Sequence, residues 1–108
     1  INVAKGKALD MSQAANAARQ HTVVKAAKGP EDMANSSVVV VTAGAPRTPG
    51  MDRDDLLFKN AEIVKSYARE IKEYAPDAVV IIVSNPLDVM TYVTLKETGF
   101  PRERVLGM

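Results

Sequence analysis

Two apolar runs stand out along the chain, and neither alternates. Val38-Val39-Val40-Val41-Thr42 is β-branched throughout, and Val79-Val80-Ile81-Ile82-Val83 repeats the pattern. A strand with one wet face alternates apolar and polar residues. An unbroken run therefore reads as a strand buried on both faces, as in a parallel sheet covered by helices. Between the runs, Leu57, Ala61, Val64, Ala68, Ile71 and Ala75 step by four, three, four, three and four. That spacing lays one apolar stripe along a helix. Asp52 is its candidate N-cap, Asp54 and Asp55 suit the positive helix start, and Pro76 ends it. Strand, helix and strand make a βαβ unit.

The flanks extend this pattern. Ala4, Ala8, Met11, Ala15 and Ala18 recur at helical spacing, which predicts a helix over 3–19 with a small-residue face. Residues 22–26 are a short strand candidate, Gly29-Pro30 a turn, and residues 31–34 one helical turn. Asn85-Pro86-Leu87-Asp88 opens another helix with Pro86 at its first position; Gly99 is its C-cap and Pro101 the stop beyond. Val105 and Leu106 begin a further strand. The expected fold class is α/β, a partial doubly wound (Rossmann-type) parallel sheet with covering helices.

Composition narrows the function. The 108 residues suffice for one small domain, with 46% hydrophobic and 25% charged content. A formal net charge of +1 recruits neither nucleic acid nor a membrane surface, so a bound anion must be held by local cations. No cysteine is present, which removes disulfides and thiolate chemistry and suits the cytoplasm. The single histidine, His21, rules out a multi-histidine metal site. No apolar run approaches the roughly 18 residues of a membrane span, and residues 1–7 lack the apolar stretch of a signal peptide. The chain starts without methionine and reads as an internal piece of a longer one.

In open α/β sheets, ligands bind beyond the carboxyl ends of the strands. Two loops qualify: residues 43–53 after the first apolar run, and Ser84-Asn85-Pro86 after the second. Gly44 lets backbone approach a ligand closely, or is a plain turn glycine. Pro49-Gly50 suits the centre of a type II turn, and two glycines with two prolines fit a lid. Arg47 and Arg53 can each grip a carboxylate with two parallel hydrogen bonds, or are solvated surface charges. Asn85 offers an amide to a ligand, or caps the next helix. His21 lies outside both loops and reads as a surface or structural residue. Tyr67 and Tyr74 sit on the long helix, where packing is the default.

The ordered blocks around these loops carry a family likeness. Val41-Thr42-Ala43-Gly44-Ala45-Pro46-Arg47-Thr48-Pro49-Gly50-Met51-Asp52-Arg53-Asp54-Asp55-Leu56-Leu57, then Lys59-Asn60, resembles the strand, mobile loop and helix start of the malate dehydrogenases. Ser84-Asn85-Pro86-Leu87-Asp88-Val89-Met90-Thr91-Tyr92 is similar to the segment after their next strand. Gly6-Lys7-Ala8-Leu9-Asp10-Met11, Gly99-Phe100-Pro101 and Arg104-Val105-Leu106-Gly107-Met108 resemble flanking segments. The likeness is weakest over 15–28.

This resemblance implies an oxidoreductase built on the lactate dehydrogenase fold, moving a hydride between NAD and malate or oxaloacetate. It implies that Arg47 binds the distal carboxylate, where lactate dehydrogenases typically carry glutamine. Arg53 would close over the substrate and polarise its carbonyl, and Asn85 would hydrogen-bond it. Val83, Ser84 and Asn85 would line the nicotinamide end of NAD, with Asn60 and Gly44 also beside the cofactor. Residues 1–108 would then be a partial dinucleotide-binding domain. The glycine-rich phosphate loop and the acidic residue that selects NAD over NADP would precede Ile1. The catalytic histidine, its aspartate and a further arginine would follow Met108. The 108 residues alone are expected to be inactive, and the whole enzyme a cytoplasmic dimer or tetramer. The alternatives are a lactate or other 2-hydroxyacid dehydrogenase, or a non-catalytic anion- or nucleotide-binding α/β module.

Overall fold

The computed structural model describes residues 2–108, so Ile1 lies outside the described residues. The chain divides into two compact units, Ile1–Asp32 and Met33–Met108. The first holds helix α1, Asn2–Ala17, close to the expected span. None of its residues is buried. Ala8, Ser12 and Ala15 share a half-buried face, and the Ser12 hydroxyl donates to the Val24 carbonyl at 3.3 Å. The strand expected over 22–26 does not form. A strand needs a ladder partner, and no other strand lies among the described residues of this unit. The helical turn expected over 31–34 forms one residue earlier, as the 3-10 helix Pro30–Met33.

The second unit is a three-stranded parallel sheet in the order β1-β2-β3 with two helices. Its elements run β1 Val38–Val41, α2 Arg53–Tyr74, β2 Val79–Ile82, α3 Leu87–Thr98 and β3 Val105–Gly107. Register pairs Val41 with Ile82 and Ile82 with Gly107, so the three carboxyl ends are level. One sheet face, with Val41, Val80, Ile82 and Val105, packs with Val64, Ile71, Met90 and Phe100 into the buried core. The other face departs from the expectation of a strand covered on both sides. Val38 is 51% and Val40 55% exposed, and Leu106, in register with them through Ile81, is also exposed. The run is unbroken in sequence, yet α2 and α3 occupy only the face that Val41 and Ile82 share.

Helix α2 follows from its sequence. The Asp52 side chain accepts the Asp55 N–H at 2.8 Å, as an N-cap should. Val64, Ala68, Ile71 and Ala75, the stripe expected to face inward, are buried. The helix stops at Tyr74, ahead of Pro76. Helix α3 begins one residue later than expected, with Pro86 as N-cap, and ends on Gly99 at φ 68°, the left-handed conformation glycine adopts without strain. Its buried stripe, Met90, Thr94 and Thr98, is partly polar. Each threonine hydroxyl donates to the carbonyl four residues back at 2.8 Å, so neither is left unsatisfied. Beyond α3, Arg104 donates to the Pro76 and Ala78 carbonyls and lies over the Phe100 ring, tying the chain before β3 to the turn before β2.

Gly107 marks the closest approach of strand and helix. A Cβ there would lie 2.7 Å from Thr91 Oγ1 and 3.3 Å from Leu87 Cγ. The Thr91 hydroxyl is held on the Leu87 carbonyl at 2.7 Å and cannot simply swing away. Gly107→Ala in the full-length protein should therefore lower stability by about 1–3 kcal/mol, the usual range for overpacking. Denaturant unfolding measures this; an unchanged midpoint would mean that α3 moves aside freely.

Candidate functional site

Because the strands are parallel, the loops leaving β1 and β2 emerge at the same edge of the sheet. Ladder contacts continue just past the strands, with Val83 N–H donating to Val41 at 2.8 Å. Two side chains then join the loops. Ser84, 5% exposed, donates its hydroxyl to the Ala43 carbonyl. Asn60, also 5% exposed, reaches both loops from α2. Its Oδ1 accepts the Ala45 N–H at 2.7 Å, and its Nδ2 donates to the Asn85 carbonyl at 3.3 Å. These two bonds fix which end of the amide is oxygen.

The joined loops enclose an open pocket of about 680 Å³. All seven residues singled out from the sequence line it: Gly44, Arg47, Arg53, Asn60, Val83, Ser84 and Asn85. Arg47 and Arg53 are exposed, and among the described residues neither has an ion-pair partner. The lining includes no aspartate, glutamate or histidine. Two cations with no counter-charge make this pocket a place for an anion. His21 belongs to the first unit and is not among the lining residues.

Local geometry sorts the alternatives left open by spacing. Pro49-Gly50 forms the expected turn: Gly50 has φ 84° and the Met51 N–H donates to the Thr48 carbonyl at 3.1 Å, as a type II turn requires. The loop is pinned at Ala43 and Ala45 on one side and by the Asp52 cap on the other. Its exposed middle, from Pro46 to Gly50, holds only that turn bond. Gly44 has no positive φ, and a Cβ there would meet Asn60 Oδ1 at an ordinary 3.5 Å. The fold therefore does not demand glycine at this position. Asn85 is not the cap of α3: Pro86 is, and no side-chain bond caps that helix. The Asn85–Pro86 bond is cis.

Spacing alone did not reveal the bridging amide of Asn60 or the Ser84 staple. Their partners lie 15, 25 and 41 residues away in sequence, and no local motif announces such contacts. Among the described residues no cluster of histidine, cysteine, aspartate or glutamate could hold a metal, and no helix is long and apolar enough to cross a membrane.

A level-ended parallel sheet with helices on one face and a cationic pocket at its carboxyl edge is a Rossmann-like α/β fragment of the kind that binds ligands beyond its strand ends. Residues 1–107 match the lactate/malate dehydrogenase, NAD binding domain family. The chain belongs to that family. It is 63% identical over its 108 residues to a malate dehydrogenase of Sulfurimonas denitrificans, covering all of this chain and 34% of the relative. Among solved structures it resembles the malate dehydrogenase of Archaeoglobus fulgidus in complex with NADH, at 42% identity and a TM-score of 0.93. That match covers 99% of this chain and 36% of the other. It also resembles a lactate dehydrogenase of Cryptosporidium parvum complexed with lactic acid and its nicotinamide cofactor, at 40% identity and a TM-score of 0.87, over 97% and 33% of the two chains. The chain thus spans about a third of the length of the relatives it matches.

If Asn85 does not cap, its side chain should be dispensable for folding. Asn85→Ala in the full-length protein is expected to change stability by less than about 0.5 kcal/mol. A loss of about 1 kcal/mol or more in thermal or denaturant unfolding, the usual cost of removing an N-cap, would restore a structural role.

Proposed function

We propose that the full-length protein is an NAD-dependent malate dehydrogenase, interconverting malate and NAD⁺ with oxaloacetate and NADH. The observation that carries the reading is the pairing of Arg47 and Arg53, without any acidic residue, on a pocket between the two loops. A four-carbon diacid needs one cation for its distal carboxylate and another near the reacting carbonyl. Arg47 supplies the first and Arg53 the second, where negative charge builds on oxygen as the carbonyl is reduced. Asn85, with no structural bond from its side chain to the helix, is available to hydrogen-bond the substrate.

The cofactor fits the same pocket. Gly44 and the half-exposed Val83 present backbone and an apolar edge to a planar ring, with Ser84 and Asn85 completing that wall and the nearly buried Asn60 behind it. When bound, NADH would supply the hydride and NAD⁺ would accept it. The chain's own residues orient the substrate and shield it when the exposed middle of the 43–53 loop folds over. The pocket lining holds no acid–base side chain, so the proton is assigned to another part of the full-length protein, and residues 1–108 alone are expected to be inactive. A place in the tricarboxylic acid cycle, a cytoplasmic setting and a dimeric or tetrameric assembly complete the proposal.

The lactate dehydrogenase alternative shares the scaffold, as the 40% identical structure illustrates, so residue 47 must separate the two. In the full-length protein, Arg47→Gln removes the partner of the distal carboxylate. A charge pair broken on one side costs about 2–5 kcal/mol, or roughly a 30- to 5000-fold loss in kcat/KM for oxaloacetate. Pyruvate carries a methyl group there, so its kcat/KM should hold or rise. The ratio of the two cancels general damage. An equal fall for both substrates would make Arg47 structural, and absence of NADH-dependent oxaloacetate reduction by the unaltered protein would favour the non-catalytic module.

Arg53 is tested by a different split. Lysine keeps the charge but loses the planar fork, so Arg53→Lys should lower kcat more than it raises KM, the mark of a group acting on developing charge. A normal kcat with only a raised KM would limit Arg53 to holding the substrate in its ground state.

A further inference from the structure

We infer that Asn60 is a positioning residue, whose amide sets the Asn85 side chain and the base of the Arg47 loop by holding two backbone groups together. This rests on the dehydrogenase reading and specifies how its pocket is kept in shape. Asn60 is nearly buried in the first half of α2, between one loop that carries Arg47 and another that carries Asn85. Both polar atoms of its amide are engaged by backbone: Oδ1 by the Ala45 N–H at 2.7 Å and Nδ2 by the Asn85 carbonyl at 3.3 Å. Ala45 lies two residues before Arg47, and the Asn85 carbonyl belongs to a residue that lines the pocket. Because Pro86 has no N–H and no side chain caps α3, the Asn60 bond is the polar contact that fixes Asn85 from the side of the pocket. The amide thereby connects cofactor wall and substrate loop through one rigid helix.

Only an amide serves both partners. A carboxylate at position 60 still accepts from Ala45 but cannot donate to the Asn85 carbonyl, and it repels that oxygen. Asn60→Asp in the full-length protein should therefore keep the loop after β1 in place while releasing Asn85. At saturating NADH, kcat for oxaloacetate should fall roughly 100-fold, the scale of a misplacement of about 1 Å. The discriminating measurement is a double-mutant cycle with Asn85→Ala, which keeps the carbonyl but removes the side chain. If Asn60 acts by orienting that side chain, Asn60→Asp should cost less than about threefold in the Asn85→Ala background. NADH binding, followed by cofactor fluorescence, should weaken far less than kcat falls.

Effects that multiply in the double variant would overturn the inference, as would a loss confined to NADH affinity with kcat intact at saturation. The second outcome would make Asn60 a direct cofactor contact. Should Asn60→Asp not fold, Asn60→Ser, too short for either bond, enters the same cycle. Because it also frees the Arg47 loop, its cost should be smaller in the Asn85→Ala background than in the unaltered protein without vanishing, and equal costs in the two backgrounds would overturn the inference. The unaltered protein and Asn85→Ala serve as references. An unaltered protein with no oxaloacetate reduction refutes the dehydrogenase reading itself, whereas an active one with a multiplicative cycle refutes only the role of Asn60.

Discussion

A buried asparagine amide that serves two backbone groups at once is the constraint on which the pocket depends. Parallel strands deliver the loops after β1 and β2 to the same edge of the sheet, but nothing in strand pairing fixes what the loops do next. Asn60 does so from the neighbouring helix, accepting from Ala45 and donating to Asn85. Burial gives the arrangement its weight. Losing either bond would leave one end of the nearly buried Asn60 amide without its partner, typically at a cost of about 1–3 kcal/mol where water does not take its place. The Ser84 hydroxyl on the Ala43 carbonyl repeats the device one residue nearer the strands.

The rest of the unit keeps the helix bearing Asn60 in register. Val64, Ala68 and Ile71 continue along the buried side of α2 and lock it on the face shared by Val41, Val80 and Ile82. At its start, the Asp52 cap ends the 43–53 loop and places Arg53 as the first helical residue at the mouth of the pocket. On α3, back-bonded Thr94 and Thr98 let a partly polar stripe be buried. Across the surface, Arg69 on α2 meets Glu97 on α3 at 2.7 Å. That contact is exposed and adds little to stability beside the apolar packing.

What could be read from the sequence was local. The α2 stripe, the Asp52 cap, the Pro49-Gly50 turn and the Gly99 terminus each rest on residues within a few positions of one another, and each was found where expected. Residues 22–26 looked like a strand because their propensity is local, whereas a ladder partner is not, and none is present among the described residues of that unit. The valines of β1 read as buried on both faces. Whether Val38 and Val40 are covered depends on what packs there, which no periodicity encodes. Site residues were identified through the resemblance, and the pocket gathers all of them. The Asn60 bridge, the Arg104 clamp and the Gly107 contact were not legible, since each joins segments at least 15 residues apart in sequence.

A crystal structure of the full-length protein with NADH and a non-reducible dicarboxylate analogue of oxaloacetate tests the central claim most directly. The account predicts the distal carboxylate on the Arg47 guanidinium and the Asn85 side-chain amide on the substrate. Asn60 should still bridge the Ala45 N–H and the Asn85 carbonyl beneath the cofactor. An Arg47 turned to solvent over a bound diacid, or an Asn60 amide released from Ala45 and bonded to the ligand instead, would contradict it.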